Sequence, residues 1–117
     1  MNSLLALNEF LERLEKYVEL RNAGLIVDER GSKMPPLHPR ASVVLKEAAV
    51  KGELARGEIF RLIEMSERSG RNVLKAFLNE GLLVAGSDWH RSPVRLGFSA
   101  QAAGFWFPQL FPNEVLK

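Results

Sequence analysis

Arg68, Arg71, Asn72 and Lys75 lie close together in one polar stretch of the chain. At about 100 degrees per residue, a helix through them gathers these four with Asn79 on one side, while Gly70, Val73, Leu74, Phe77 and Leu78 take the other. Lys and Arg pair with phosphate oxygens, Arg can donate two parallel bonds to guanine, and Asn can pair with adenine. The outer side chains of such a helix suit a DNA duplex, and its inner ones suit a core. A merely solvated surface helix has the same two-sided pattern, so DNA contact is the preferred expectation rather than the only one. Arg91, near the tip of a later turn, and Arg95, on the segment that follows it, are further candidates for phosphate contact. Trp89, at the same tip, is expected to fold its ring over a sheet edge, because a duplex has no open base face on which to stack.

Other chemistries find no foothold. The chain has no cysteine, which rules out disulfides, thiolate metal sites and thiol catalysis. His38 and His90 have no ligand at metal-binding spacing and are read as surface residues. No Gly-rich phosphate loop with a following Lys is present, and no Ser is partnered by His and Asp at motif spacing. No catalytic residue, metal or cofactor is therefore expected. The net charge is +2 and the pI about 9.2. Residues 1–37 hold 5 Lys and Arg against 6 Asp and Glu, residues 38–98 hold 10 against 7, and the tail holds 1 against 1. The excess positive charge thus sits in the central segment, where the candidate face lies. No apolar run approaches a membrane span, and the amino terminus lacks the early basic charge of a signal peptide, so a cytoplasmic protein without a membrane partner is expected.

The elements that must position these side chains follow from periodicity. In residues 1–23, Leu4, Leu7, Leu11, Leu14 and Val18 recur at alternating spacings of three and four, with Phe10 and Tyr17 widening the stripe. This predicts a long helix, with Ser3 as its cap and Gly24 closing a stop that begins at Asn22. The stripe is read as ordinary core contact, with a seam between two chains as the alternative. Residues 24–37 read as a linker, because two glycines, Pro35-Pro36 and a charged run break both helix and strand periods. Whether Leu25-Ile26-Val27 forms a short strand or is simply buried is left open.

Residues 38–98 then give three helices. The first has Pro39 in its opening turn and an apolar face of Val43, Val44 and Ala48, joined by Leu45 and Ala49, before Gly52. The second runs from about Arg56 to Glu64 and presents Ile59, Leu62 and Ile63. The third runs from Glu67 to Glu80, capped by Ser66 and ended by Gly81. Leu82–Ala85 and Pro93–Phe98 flank a polar turn from Gly86 to Ser92 and read as a hairpin. Residues 99–117 are expected to hold a short helix, about Ser99 to Phe107, and an aromatic tail. The expected fold is mainly α with a small β-hairpin: a winged helix-turn-helix preceded by a long N-terminal helix.

Several runs carry a resemblance. Arg56-Gly57-Glu58, the stretch from Ser66 to Leu74, Glu80-Gly81-Leu82-Leu83-Val84, Pro93-Val94-Arg95-Leu96-Gly97-Phe98 and Phe107-Pro108-Gln109-Leu110-Phe111-Pro112 together resemble the carboxy-terminal winged-helix region of bacterial Fic family proteins, over about Leu37 to Pro112. Fic stands for filamentation induced by cAMP. The resemblance implies a parent enzyme that transfers AMP from ATP to a protein hydroxyl, with the leading helix as the link to its catalytic part. The family's His-containing catalytic loop is absent here: neither His38-Pro39-Arg40 nor Asp88-Trp89-His90 matches it. The chain therefore reads as a fragment or stand-alone accessory domain without an active site. Gly70 also departs from expectation, standing where a helix former would be usual, and close packing against the second of the three helices is the expected reason.

The function expected is a DNA-binding or regulatory winged-helix module acting on double-stranded DNA. The alternative is a protein-interaction or dimerisation domain that positions a Fic catalytic domain, pairing through the N-terminal helix or through the tail cluster of Phe105, Trp106, Phe107, Leu110 and Phe111.

Overall fold

The computed structural model describes residues 3–87, 89 and 91–97. The expectations for Asp88, His90, Phe98, the short helix from Ser99 and the aromatic tail lie outside the described residues. Those described form a mainly helical protein with a two-stranded antiparallel hairpin and a long N-terminal helix. Among them, no helix is long and apolar enough to cross a membrane. The chain divides into two compact units, the first including the residues up to Leu37 and the second spanning His38–Ser99.

In the first unit, helix α1 runs Ser3–Asn22. Ser3, the cap expected, is the first helical residue described. Leu14, Tyr17 and Val18 are buried within the chain, and Leu7, Phe10 and Leu11 are partly so. Gly24, at φ +79, lets the chain turn back, with the Leu25 N–H donating to Leu20 O at 2.9 Å and the Gly24 N–H to Arg21 O at 3.0 Å.

Residues 24–37, read as a linker, form a bridged loop. Val27 and Lys33 pair as an antiparallel bridge, and the Met34 N–H donates to Ile26 O at 3.0 Å. Asp28 Oδ1 accepts the N–H groups of Arg30 and Ser32, each at 2.9 Å, and so closes the tip. Neither option for Leu25-Ile26-Val27 is realised in full: only a single bridge forms, while Leu25 and Val27 stay exposed. The loop then returns to α1. Asn22 Oδ1 accepts the Leu37 N–H at 2.7 Å, and Asn22 Nδ2 donates to Leu37 O at 3.2 Å. Arg21 is buried, its Nε donating to Pro35 O at 2.7 Å and its Nη1 to the Tyr17 hydroxyl at 3.2 Å. These bonds satisfy donors whose burial would otherwise be costly.

In the second unit, helices α2 (Ala41–Lys51), α3 (Arg56–Leu62) and α4 (Glu67–Asn79) precede strands β1 (Leu83–Ala85) and β2 (Val94–Leu96). Pro39 lies in the turn before α2 rather than in its first helical turn. His38 Nδ1 accepts the Arg40 N–H at 3.0 Å, so the half-buried imidazole organises this helix start. The buried face of α2 is Ala41, Val44, Leu45 and Ala48, and Val43 sits at its margin. Of the face expected, Val44, Leu45 and Ala48 are buried, while Val43 and Ala49 are only partly so.

A 7-residue helix such as α3 is too short to hold its own shape in water. Burial of Ile59, Phe60 and Ile63 stabilises it, at about 1.5–3 kcal/mol for each fully buried side chain. α3 ends at Leu62, earlier than the Glu64 expected, because Ile63 leaves helical geometry and Glu64 adopts φ +60. The hairpin pairs Leu83 with Leu96, Val84 with Arg95 and Ala85 with Val94. Leu82 is buried but lies before the strand. A further bridge joins Leu54, in the loop after α2, to Val94, whose N–H and carbonyl bond to Leu54 at 2.9 and 2.7 Å. α4 packs on α3 and β1, while α2 packs on α3 and β2.

Candidate nucleic-acid interface

Ser66 starts α4 by accepting the Ser69 N–H on its hydroxyl at 3.2 Å. Glu67 follows in the first turn, where a carboxylate suits the helix dipole. The inner face is Gly70, Leu74 and Phe77, all buried. A Cβ on Gly70 would come within 2.6 Å of Phe60 Cδ1 and 3.2 Å of Phe60 Cε1, so the Phe60 ring of α3 would have to shift to admit a side chain there. That is the packing reason expected for this glycine. Gly81, at φ +76, ends the helix, with the Leu82 N–H donating to Phe77 O at 3.0 Å and the Gly81 N–H to Leu78 O at 3.1 Å.

With the inner face fixed on α3, the opposite side is left to solvent. Arg68, Arg71, Asn72, Lys75 and Asn79 are all exposed. Arg71 Nη2 lies 3.4 Å from Glu67 Oε1, with the two side chains 69% and 67% exposed. A pair this open contributes about 0–1 kcal/mol, so an anionic ligand can displace the carboxylate at little cost. Three cations against one carboxylate leave the face positive. It can hold an anion, and Asn72 adds a group with both a donor and an acceptor.

Arg91 and Arg95 come from the hairpin, which meets α4 through β1. Arg95 stands opposite Val84 on the outward side of the ladder and is exposed, whereas its neighbour Val94 is buried. Arg91 is exposed in the turn. Trp89 is 60% exposed, so most of its surface is not covered by the sheet edge onto which it was expected to fold.

The turn owes its shape to residues that the sequence did not single out. Ser92 is buried: its hydroxyl accepts the Ser87 N–H at 3.1 Å, and its carbonyl accepts Arg56 Nε at 2.8 Å. The Ser92 N–H donates to Trp89 O at 2.9 Å, and the Trp89 N–H to Ser87 Oγ at 3.3 Å. Arg56 thus ties the start of α3 to the hairpin turn across 36 positions of sequence. No local signal announces that pairing. Among the described residues, no group of three or more His, Cys, Asp or Glu is placed to hold a metal ion.

No family model, curated protein or solved structure matches the chain.

Proposed function

We propose that this chain is a winged helix-turn-helix module that binds double-stranded DNA in the cytoplasm, with α4 as the helix that enters the major groove and the hairpin as the wing. One observation carries the reading: Arg68, Arg71, Asn72 and Lys75 are all exposed on one side of α4, while Gly70, Leu74 and Phe77 are buried on the other. The order of elements supports it. Two helices are joined by the four-residue turn 63–66 and followed directly by an antiparallel hairpin, the arrangement by which such domains present a helix to the groove and a loop to the backbone. In this proposal the chain is a non-catalytic accessory domain, in keeping with the resemblance to the carboxy-terminal region of Fic proteins.

The test is fluorescence anisotropy with a labelled duplex over a series of salt concentrations. Arg71→Glu with Lys75→Glu is expected to weaken binding and to flatten the slope of log K against log salt by about two, since each lost phosphate contact removes nearly one released counterion. Unchanged affinity and slope sink the proposal.

A second reading, a protein-interaction or dimerisation domain that positions a Fic catalytic domain, draws on the exposure of Leu25 at 68% and Val27 at 53% on the bridged loop. Light scattering separates the two: self-association that Leu25→Ser with Val27→Ser abolishes favours this reading.

A further inference from the structure

Among the described residues of the hairpin turn, Trp89 presents an exposed aromatic side chain from a hydrogen-bonded backbone. Trp89 is 60% exposed. Its peptide N–H is bonded to Ser87 Oγ and its carbonyl to the Ser92 N–H, and Ser92 is in turn fixed by the Ser87 N–H and by Arg56. These bonds restrain the Trp89 backbone, so part of the cost of ordering that residue is met before DNA arrives. Exposed rings presented in this way are the side chains that dominate contact energies at interfaces.

The same hairpin indicates what the ring meets. Arg91 lies two positions on and Arg95 stands on the outer side of β2, both exposed, so the hairpin carries two arginines against the single acidic residue of its sequence, Asp88. Charge complementarity selects a polyanion. The ring adds what guanidinium groups lack, an apolar body with a single N–H donor. On a duplex the bases are stacked away, and the surface matching that combination is the deoxyribose edge of the backbone beside a phosphate oxygen. We propose that Trp89 is a DNA-contacting residue of the hairpin turn, laid against the sugar–phosphate backbone next to the groove that α4 enters. This rests on the DNA reading above and adds a contact that neutralises no phosphate.

The experiment uses the full chain carrying Trp106→Phe, so that Trp89 is the one remaining tryptophan of the 2. Acrylamide quenching of its fluorescence is expected to fall when a mixed-sequence duplex is added. Trp89→Ala is expected to weaken binding roughly tenfold while leaving the salt slope as it was, in contrast to the flattened slope of the Arg71 and Lys75 charge reversals. Trp89→Phe, which keeps an aromatic body, retains part of the affinity and guards against a folding defect in the alanine variant, as does an unchanged circular-dichroism melt. If the duplex binds but neither quenching nor the Trp89→Ala affinity changes, this inference is overturned and the DNA reading survives. A Trp89-dependent preference for single strands also overturns it, since the ring is then stacking on bases. If the unmutated protein binds no duplex, both fall together.

Discussion

Replacing Gly97 with alanine is expected to damage the second unit more than its position beside a three-residue strand suggests. A Cβ on Gly97 would press into the carbonyl oxygen of Gly81, far inside the 3.0 Å that real Cβ contacts respect, and would also lie 3.0 Å from Val84 Cγ1. The Cβ position is fixed by its own backbone and the nearest obstacle is a backbone carbonyl, so rotating the Val84 side chain cannot relieve that contact. Relief requires the chain after β2 and the end of α4 to separate by roughly an ångström, which the Gly97 N–H bond to Leu82 O, 2.9 Å long, cannot survive. Overpacking costs about 1–3 kcal/mol and the lost hydrogen bond about 1 kcal/mol. The stiffer unfolded chain returns about 0.4–1 kcal/mol. The net loss is about 1–3.5 kcal/mol, a sizeable share of the 5–15 kcal/mol typical of a domain. Urea unfolding followed by far-ultraviolet circular dichroism should show the midpoint falling by about 1–2 M. Gly57→Ala serves as control, because nothing lies within 4 Å of a Cβ there, and it should leave stability unchanged or slightly raised. A Gly97→Ala midpoint within error of the unmutated protein would refute the close approach of helix end and hairpin.

Two further outcomes test other parts of the structure. Glu64 occupies the left-handed region at φ +60, at a cost of about 1 kcal/mol for a residue with a Cβ. Its exposed ion pair with Arg40 Nε at 3.5 Å contributes only a few tenths of a kcal/mol, so Glu64→Gly should stabilise by about 0.5 kcal/mol in thermal melts, and a lower melting temperature would contradict the assigned backbone. Lys51 Nζ donates to Glu58 Oε2 at 2.8 Å, which holds the Glu58 carboxyl below and the Lys51 ammonium above their ordinary ranges. The stabilisation from Glu58 is present above its unfolded-state value and lost as pH falls through the depressed one; that from Lys51 is present below its unfolded-state value and lost as pH rises through the raised one. A carbon-detected NMR titration should give Glu58 a lower midpoint than an unpaired surface glutamate, and Lys51→Met should raise it; an unmoved midpoint would break the pairing.

Much of this architecture was legible in the sequence because it is periodic. The three-and-four spacing from Leu4 to Val18 marks α1, Ser66 and Gly81 bracket α4, and the alternation of Val94, Arg95 and Leu96 marks β2. The same periodicity separated the exposed Arg68, Arg71, Asn72 and Lys75 from the buried Gly70, Leu74 and Phe77. Features set by a single long-range contact have no period and left no trace. Leu54 pairs with Val94 through one bridge, and Ser92 receives Arg56 from a distant helix. Gly97 is visibly a glycine, but only the fold shows the carbonyl it must face. Arg21 is a charged residue in the last turn of a helix, and it is buried because Pro35 and Tyr17 supply acceptors. Glu64 gave no warning that α3 stops before it, since its left-handed backbone is imposed by the turn rather than favoured by the residue.

The paired hydrogen bonds between the Asn22 side chain and the Leu37 backbone make residues 23–36 a detour that leaves α1 and comes back to it. Such a closed excursion behaves as an interchangeable cassette. Each doubling of its length costs only about 0.6 kcal/mol in closure entropy, and the point from which the chain sets out towards His38 is held by Asn22 on Leu37 and Arg21 on Pro35, not by the loop's tip. The tip between Asp28 and Ser32 is therefore the natural place to graft a reporter peptide or an epitope, with the groups proposed to meet DNA belonging to a different part of the chain.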